Sequence, residues 1–81
     1  MAEHIVKSPL PGVFYRRPAP EEPLFAEVGS AVTATQTIGL VEIMKQFSEI
    51  RAGMAGTVTA FLVDNQGTLD PGDSIATIET S

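Results

Sequence analysis

Glycine and proline interrupt this chain so often that long helices have little room to form. The seven glycines and six prolines stand at Pro9, Pro11, Gly12, Pro18, Pro20, Pro23, Gly29, Gly39, Gly53, Gly56, Gly67, Pro71 and Gly72. Both residue types are unfavourable inside a helix. The runs between them are rich in Val, Ile, Thr and Phe, which favour strands. We therefore expect an all-β protein.

Six segments have the composition of strands, namely residues 4–6, 13–15, 38–43, 47–52, 57–63 and 74–79. In the fifth segment, Val58, Ala60 and Leu62 alternate and should share one face. "DNQG" (64–67) has the composition of a hairpin turn and "DPGD" (70–73) that of a β-turn. Short strands separated by turns at regular intervals are typical of a sandwich or a barrel.

The two halves of the chain resemble each other. "KSPLPGVF" (7–14) matches "RAGMAGTV" (51–58) at an offset of 44 residues. At an offset of 37, four residues match four later ones, Val32, Ile38, Val41 and Glu42 against Leu69, Ile75, Ile78 and Glu79. The repeat predicts two similar β units related by a pseudo-twofold axis.

The first unit is longer, and the excess falls between Phe14 and Gly29, where the sequence reads "RRPAPEEP". Pro18, Pro20 and Pro23 have no N–H to donate to a sheet, so a regular strand is excluded. We expect a stiff loop at about residues 16–23 that protrudes from the barrel. Two arginines begin it, and they are expected to pair with the acidic residues that follow, Glu21 or Glu22, or to dock an acidic partner surface.

Charge and composition argue against several classes of function. The formal net charge is −5 and the five basic residues do not cluster, so the basic stripe of a nucleic-acid-binding protein is missing. No apolar run is long enough to span a membrane, and the N-terminus lacks a signal pattern. With no cysteine and with His4 as the only histidine, neither a metal site nor a catalytic constellation is expected. His4 is interpreted as a polar residue at a strand edge, and the chain as cytoplasmic.

"LVEIMKQFSE" (40–49) has a chain reversal predicted at Met44-Lys45, without Asn, Asp, Gly or Pro. Tight hairpin turns require positive φ at their central residues, which costs a non-glycine residue about 1 kcal/mol. Functional positions tolerate such strain. The reversal would present the Lys45 amine to solvent. The alternative is an ordinary solvated lysine beside a methionine that fills the core or is exposed.

Three segments, "SPLPGVFYRRPAPEEPLFAEVG", "VEIMKQF" and "AGMAGTVTAFLVDNQGTLDPGDSIATIE", resemble the biotinyl domain of the biotin carboxyl carrier proteins of acetyl-CoA carboxylase. The resemblance runs from about residue 4 to residue 79. The acceptor motif of that family is Ala-Met-Lys-Met, usually after a Glu. Glu42, Met44 and Lys45 match it, whereas Ile43 and Gln46 depart from it. "FYRRPAPEEP" resembles the thumb loop of the acetyl-CoA carboxylase subgroup.

The resemblance implies one biotinyl domain over residues 1–81. Its fold would be a flattened barrel or sandwich of two four-stranded antiparallel sheets with quasi-twofold symmetry and a protruding thumb. Biotin would be attached to Lys45 as an amide, which takes the net charge from −5 to −6. Met44 and Glu42 would flank the attachment site, and the thumb residues Pro18, Ala19 and Pro20 would contact the ring.

The partners implied by the resemblance are a biotin protein ligase, a biotin carboxylase that uses ATP and bicarbonate, and a carboxyltransferase that converts acetyl-CoA to malonyl-CoA for fatty acid synthesis. The chain itself would be a carrier and not an enzyme, monomeric as an isolated domain. Two alternatives remain open. A lipoyl carrier typically has Asp where Met44 stands and lacks the thumb. An unmodified module that docks on a ligase or carboxylase is kept open by Ile43.

Overall fold

The computed structural model describes residues 2–80 and contains eight β-strands and, within that range, no helix. The strands are β1 (Ala2–Lys7), β2 (Gly12–Tyr15), β3 (Ala31–Val32), β4 (Thr37–Ile43), β5 (Gln46–Arg51), β6 (Gly56–Phe61), β7 (Thr68–Leu69) and β8 (Ser74–Thr80). The all-β prediction is confirmed, and each of the six predicted strands is present. The sequence did not reveal β3 and β7, because two residues are too few to show a periodic pattern.

The strands form two four-stranded antiparallel sheets that make a sandwich. Their orders are β1-β8-β6-β3 and β5-β4-β2-β7. Exchanging β1 with β5, β2 with β6, β3 with β7 and β4 with β8 converts one order into the other. The starts of β1 and β5 are 44 residues apart, and those of β4 and β8 are 37 apart, which are the offsets of the sequence repeat. The predicted quasi-twofold symmetry is therefore confirmed.

The core obeys the same symmetry. Five pairs of equivalent apolar residues are buried between the sheets, Val6 with Ile50, Phe14 with Val58, Val32 with Leu69, Ile38 with Ile75, and Val41 with Ile78. Burying a side chain of this size contributes roughly 1.5–3 kcal/mol relative to leaving it exposed. Each unit thus contributes half of one shared core, which holds the strands that carry the site.

β-Bulges interrupt the alternation of side chains in three strands. β4 and β8 each carry a bulge at equivalent places, beside Ile38 and near Ile75. A third bulge lies between Val58 and Ala60 of β6, where an extra residue shifts the side chains that follow it. The prediction that Leu62 shares the face of Val58 is wrong for this reason. Strand β6 ends at residue 61, and Leu62 is 53% exposed.

The two predicted turns differ in what they connect. The β-turn at residues 70–73 is confirmed, because Asp73 N donates to Asp70 O at 3.0 Å. Residues 64–67 also form a turn, with Gly67 N donating to Asp64 O at 2.8 Å. This turn links β6 of one sheet to β7 of the other, so it is not a hairpin turn. Turn residues specify a local reversal, whereas strand pairing is decided by the rest of the fold.

The connection between β2 and β3 covers residues 16–30, whereas its counterpart in the second unit covers only residues 62–67. The predicted thumb lies in the longer connection. Phe25 N donates to Arg16 O at 2.8 Å and closes the base of the loop, and Glu22 N donates to Ala19 O at 3.0 Å near its tip. We use the name thumb for residues 16–25, the segment that this closure defines.

The base of the thumb is fixed to the second unit. Arg16 N donates to Asn65 Oδ1 at 2.8 Å, and the Arg16 guanidinium lies 4.1 Å from the centroid of the Phe61 ring. The expected pairing of the thumb arginines with Glu21 or Glu22 carboxylates is not found in residues 2–80. Arg17 Nη1 donates instead to the backbone carbonyl of Glu22 at 3.4 Å.

Candidate functional site

The hairpin between β4 and β5 ends in a two-residue turn. Ile43 and Gln46 pair across the two strands, and Met44 and Lys45 between them have φ values of 51° and 66°. Positive φ at both central residues defines a type I′ turn, whose twist matches that of the flanking strands. The predicted reversal without glycine is therefore confirmed. Met44 and Lys45 are two of the three non-glycine residues with positive φ within residues 2–80, and the third is Gln66.

Solvent surrounds the tip of this hairpin. Met44 is 90% exposed, and Lys45 is also exposed. Ile43 behaves differently, because it is half-buried and packs against the core. It lines a cleft of about 400 Å³ whose other residues are Leu10, Met44, Gln46 and Ser48. The Ile43 side chain, which departs from the family motif, thus fills space below the tip. The Lys45 side chain stays exposed to solvent.

Three side chains form a platform on the outer face of the β5-β4-β2 sheet. Glu42 and Phe47 pair across the hairpin, and the hydroxyl of Tyr15 in β2 donates to Glu42 Oε1 at 2.8 Å. The ring centroids of Tyr15 and Phe47 are 5.9 Å apart. The hydrogen bond to Glu42, followed by desolvation and the charge of that carboxylate, raises the pKa of Tyr15 above its usual 10.0.

The thumb and this platform line a cavity of about 410 Å³ that is open to solvent on one side. We name it the thumb cavity, and its lining is Tyr15, Arg17, Pro18, Ala19, Pro20, Glu42, Phe47, Asn65 and Gln66. Small-molecule sites usually have volumes of roughly 300–1,000 Å³. The structure thus brings together four of the six predicted site residues, Glu42 and the three thumb residues 18–20.

The other two predicted residues, Met44 and Lys45, lie outside the cavity but close to it. Lys45 stands in the turn just before β5, two positions ahead of the cavity residue Phe47.

Five of the lining residues were not among the site residues predicted from the sequence. Tyr15 and Phe47 are detectable in principle, because each is an aromatic residue next to an inward-facing position of a strand. Arg17 was noticed only as a loop charge. Asn65 and Gln66 were expected only as part of a turn, and they lie some 50 residues along the chain from the thumb. Their position is explained by two hydrogen bonds, from Arg16 N to Asn65 Oδ1 at 2.8 Å and from Gln66 N to Phe14 O at 2.6 Å.

Other predicted features can be placed as well. His4 lies in β1, which is an edge strand, as expected. Residues 2–80 contain no group of three or more His, Cys, Asp or Glu side chains positioned to hold a metal ion. Asp70 and Asp73 instead serve their own turn, where Asp70 N donates to Asp73 Oδ2 at 2.9 Å. In the same range, no helix is long and apolar enough to cross a membrane.

The described ends of the chain lie far from Lys45. His4 of β1 lies over Gly53, beyond the end of β5, since a Cβ on that glycine would be 3.1 Å from His4 Nε2. Leu10, beyond the end of β1, shares a cleft with Gln46 at the start of β5. β1 and β5 therefore run in opposite directions across the sandwich. Ala2 and its partner Thr80 are consequently at the end opposite the hairpin tip.

Several known proteins that are similar to this chain have the same name. The biotin carboxyl carrier protein of acetyl-CoA carboxylase from Haemophilus influenzae is 37% identical over 79 residues, covering 98% of this chain and 51% of that protein. The protein of the same name from Porphyra purpurea is 39% identical, covering 93% of this chain and 48% of its own. That from Nostoc sp. is 47% identical over 60 residues, covering 74% and 33%. The chain thus spans about half the length, or less, of these relatives.

A solved structure shows the same fold. The urea carboxylase of Kluyveromyces lactis superposes with a TM-score of 0.81 at 25% identity, over 98% of this chain and 6% of that one. A family model described as "Biotin-requiring enzyme" matches residues 4–78, which is nearly the whole chain. On this match, the chain belongs to the biotin/lipoyl domain family of the biotin-requiring enzymes.

Proposed function

We propose that this chain is the biotin-carrying domain of an acetyl-CoA carboxylase, with biotin attached as an amide to Lys45. In this role the chain is a carrier and catalyses no reaction itself. The observation that supports the proposal best is the exposed lysine held in a strained type I′ turn at the tip of a two-sheet sandwich. The relatives named biotin carboxyl carrier protein support the choice of biotin as the cargo.

The geometry suits a carrier because the attachment point and the chain ends are at opposite ends of the sandwich. A linker at either end would leave the tip free to enter another protein. Tethering replaces free diffusion of the cofactor, so its effective concentration is set by the tether. The partners that we propose are a biotin protein ligase, a biotin carboxylase and a carboxyltransferase. The cytoplasmic location and the monomeric state remain predictions.

The thumb cavity fits the ring of biotin in size and chemistry. A ureido ring offers two N–H donors and one carbonyl acceptor, and the cavity offers the Glu42 carboxylate and the Arg17 guanidinium. Pro18, Pro20 and Phe47 supply apolar walls for the rest of the ring. When bound, biotin supplies a ureido nitrogen that accepts the carboxyl group. We propose that Glu42 and residues 18–20 seat the ring between its visits to the partner enzymes.

Intact-mass measurement after co-expression with a biotin protein ligase tests the proposal. The unaltered chain should gain the mass of one amide-linked biotin, and Lys45→Arg should gain none while keeping the charge. Lys7→Arg is the matched control, because Lys7 is the only other lysine and lies in edge strand β1. It should be labelled fully.

Three outcomes would contradict the proposal. A biotin adduct on Lys45→Arg would place the attachment elsewhere. A lipoyl adduct obtained with a lipoyl ligase in place of a biotin adduct would change the cargo. A chain that stays unmodified with either ligase would support the interaction module.

A further inference from the structure

The thumb cavity contains a cation that the contacts within residues 2–80 leave without a carboxylate partner. Arg17 lines the cavity, and its only side-chain hydrogen bond in that range is the long one to Glu22 O, at 3.4 Å. The other charged group in the lining, Glu42, is engaged by the hydroxyl of Tyr15. The positive charge of Arg17 is therefore available to a ligand.

The surroundings of Arg17 also restrict which of its nitrogen atoms a ligand can contact. Its Nε atom is enclosed by protein and has no hydrogen-bond partner. The terminal Nη groups are therefore the part that a ligand can reach. An anionic ligand at the Nη groups would compensate the guanidinium charge, which has no carboxylate partner within residues 2–80.

We propose that Arg17 binds the carboxylate of the cargo, so that the thumb cavity prefers the carboxylated ring over the uncharged ring. This inference rests on the proposed function. A guanidinium and a carboxylate form two parallel charge-assisted hydrogen bonds, and the partial enclosure under the thumb strengthens them. The uncharged ring offers Arg17 only a neutral carbonyl acceptor, which binds a guanidinium more weakly than a carboxylate does. Arg17 would thus make occupancy of the cavity depend on whether the carrier is loaded.

The same contact should slow premature loss of the cargo. In that loss the bond between the carboxyl carbon and the ureido nitrogen breaks, and carbon dioxide leaves. The electron pair stays on the nitrogen, which then takes a proton from water. Negative charge moves away from the carboxylate during this step. A cation paired with the carboxylate therefore stabilises the intact form more than the separating one, and the barrier rises.

The lifetime of the cargo on the carrier tests this role without measuring carboxylase activity. The biotinylated chain is loaded with a biotin carboxylase, ATP and radiolabelled bicarbonate. It is then separated from the enzyme, and the loss of label is followed. Arg17→Gln should lose the label roughly three- to tenfold faster than the unaltered chain, the range between an exposed and a desolvated charge pair. Arg17→Lys, which keeps the charge but not the fork, should fall between them.

Arg51→Gln is the control for charge, because this exposed arginine lies at the far end of β5 and outside the cavity. Its label lifetime should equal that of the unaltered chain. Equal lifetimes for Arg17→Gln and the unaltered chain, both carrying a full complement of biotin by mass, would overturn the inference and leave the proposed function standing. Absence of biotin from the unaltered chain would overturn the proposed function itself.

Tyrosine fluorescence provides a second measurement. Tyr15 is the only tyrosine, the chain has no tryptophan, and the ring of Tyr15 forms part of the cavity wall. Loading should change its emission in the unaltered chain and not in Arg17→Gln. The same change in both proteins would show that the ring docks without Arg17, which contradicts the proposal.

Discussion

At the scale of single residues, Lys45 and Tyr15 are held in opposite ways. Lys45 sits in the left-handed region of backbone space, which costs on the order of 1 kcal/mol, and the pairing of Ile43 with Gln46 keeps it there. Its side chain has no packing role. Tyr15 is in ordinary strand conformation, but its hydroxyl is committed to Glu42. The site thus combines a strained backbone at its tip with a hydrogen-bonded platform at its side.

The Tyr15–Glu42 hydrogen bond should be visible in a titration of the single tyrosine. The phenolate absorbance should appear with a midpoint above pH 10.0, because the Glu42 carboxylate raises the pKa of Tyr15. Glu42→Gln should move the midpoint back toward 10.0, since it removes the negative charge. The pKa of Tyr15 is higher in the folded than in the unfolded chain, so the stability that the Tyr15–Glu42 hydrogen bond provides is fully present below pH 10.0. It is lost as the pH rises from there through the folded pKa.

Glu49→Gln controls for the loss of one surface charge. Glu49 lies on the same hairpin but contacts Thr37 and Arg51 and does not contact Tyr15. The tyrosine midpoint should not change in this variant. A tyrosine midpoint at or below pH 10.0 in the unaltered chain would contradict the described hydrogen bond. So would a midpoint that is the same in Glu42→Gln as in the unaltered chain.

At the scale of elements, the quasi-twofold symmetry gives β2 and β6 a glycine at the same place, although only β2 lies beside the site. Gly12 begins β2 and Gly56 begins β6, 44 residues later. A Cβ at Gly12 would lie 2.5 Å from Glu42 O, and one at Gly56 would lie closer still to Glu79 O. Both glycines let neighbouring strands approach, but only Gly12 lies against the strand that carries the platform.

Gly12→Ala and Gly56→Ala should both destabilise the fold, Gly12→Ala the more because Gly12 also has a φ of 151°, and they should differ in their effect on the site. Each should reduce the free energy of unfolding by roughly 1–3 kcal/mol, because the added carbon forces two backbones apart. Urea denaturation measures this. Only Gly12→Ala should also lower the titration midpoint of Tyr15, since it displaces Glu42. An equal shift of the midpoint in Gly56→Ala would show that the two strands are coupled more strongly than the symmetry suggests.

At the scale of the whole molecule, the thumb is an addition to a fold that is complete without it. Its tip, residues 18–22, is exposed, whereas the core is shared between the two sheets. The second unit makes the equivalent connection with residues 62–67 alone. The thumb therefore contributes the cavity and little of the stability.

Replacing residues 18–22 by Gly-Gly should leave the melting temperature within a few degrees of the original. Shortening a surface loop changes the closure entropy by less than about 1 kcal/mol, which corresponds to roughly 4–8 °C in a domain of this size. Calorimetry or circular dichroism measures the transition. The loaded form should lose its label at least as fast as Arg17→Gln. A drop in melting temperature well beyond that range would give the thumb a structural role instead.

The sequence by itself determined the fold class, six strands, the repeat, the long loop and the reversal at Lys45. All of these depend on local composition and spacing, because a strand alternates with a period of two and a proline or glycine acts where it stands. The offsets of 44 and 37 residues also predicted the symmetry of the core, since equivalent positions in a repeat face equivalent neighbours.

Only the tertiary structure decided that β3 pairs with β6 and β7 with β2. It also decided the bulge that turned Leu62 outward and the passage of residues 64–67 from one sheet to the other. It alone also assembled the thumb cavity. The cavity walls come from three parts of the chain, residues 15–20, 42–47 and 65–66, which are brought together by strand pairing and by the contact of Arg16 with Asn65. Contacts between residues so far apart depend on the packing of the whole chain, and local sequence carries no record of them.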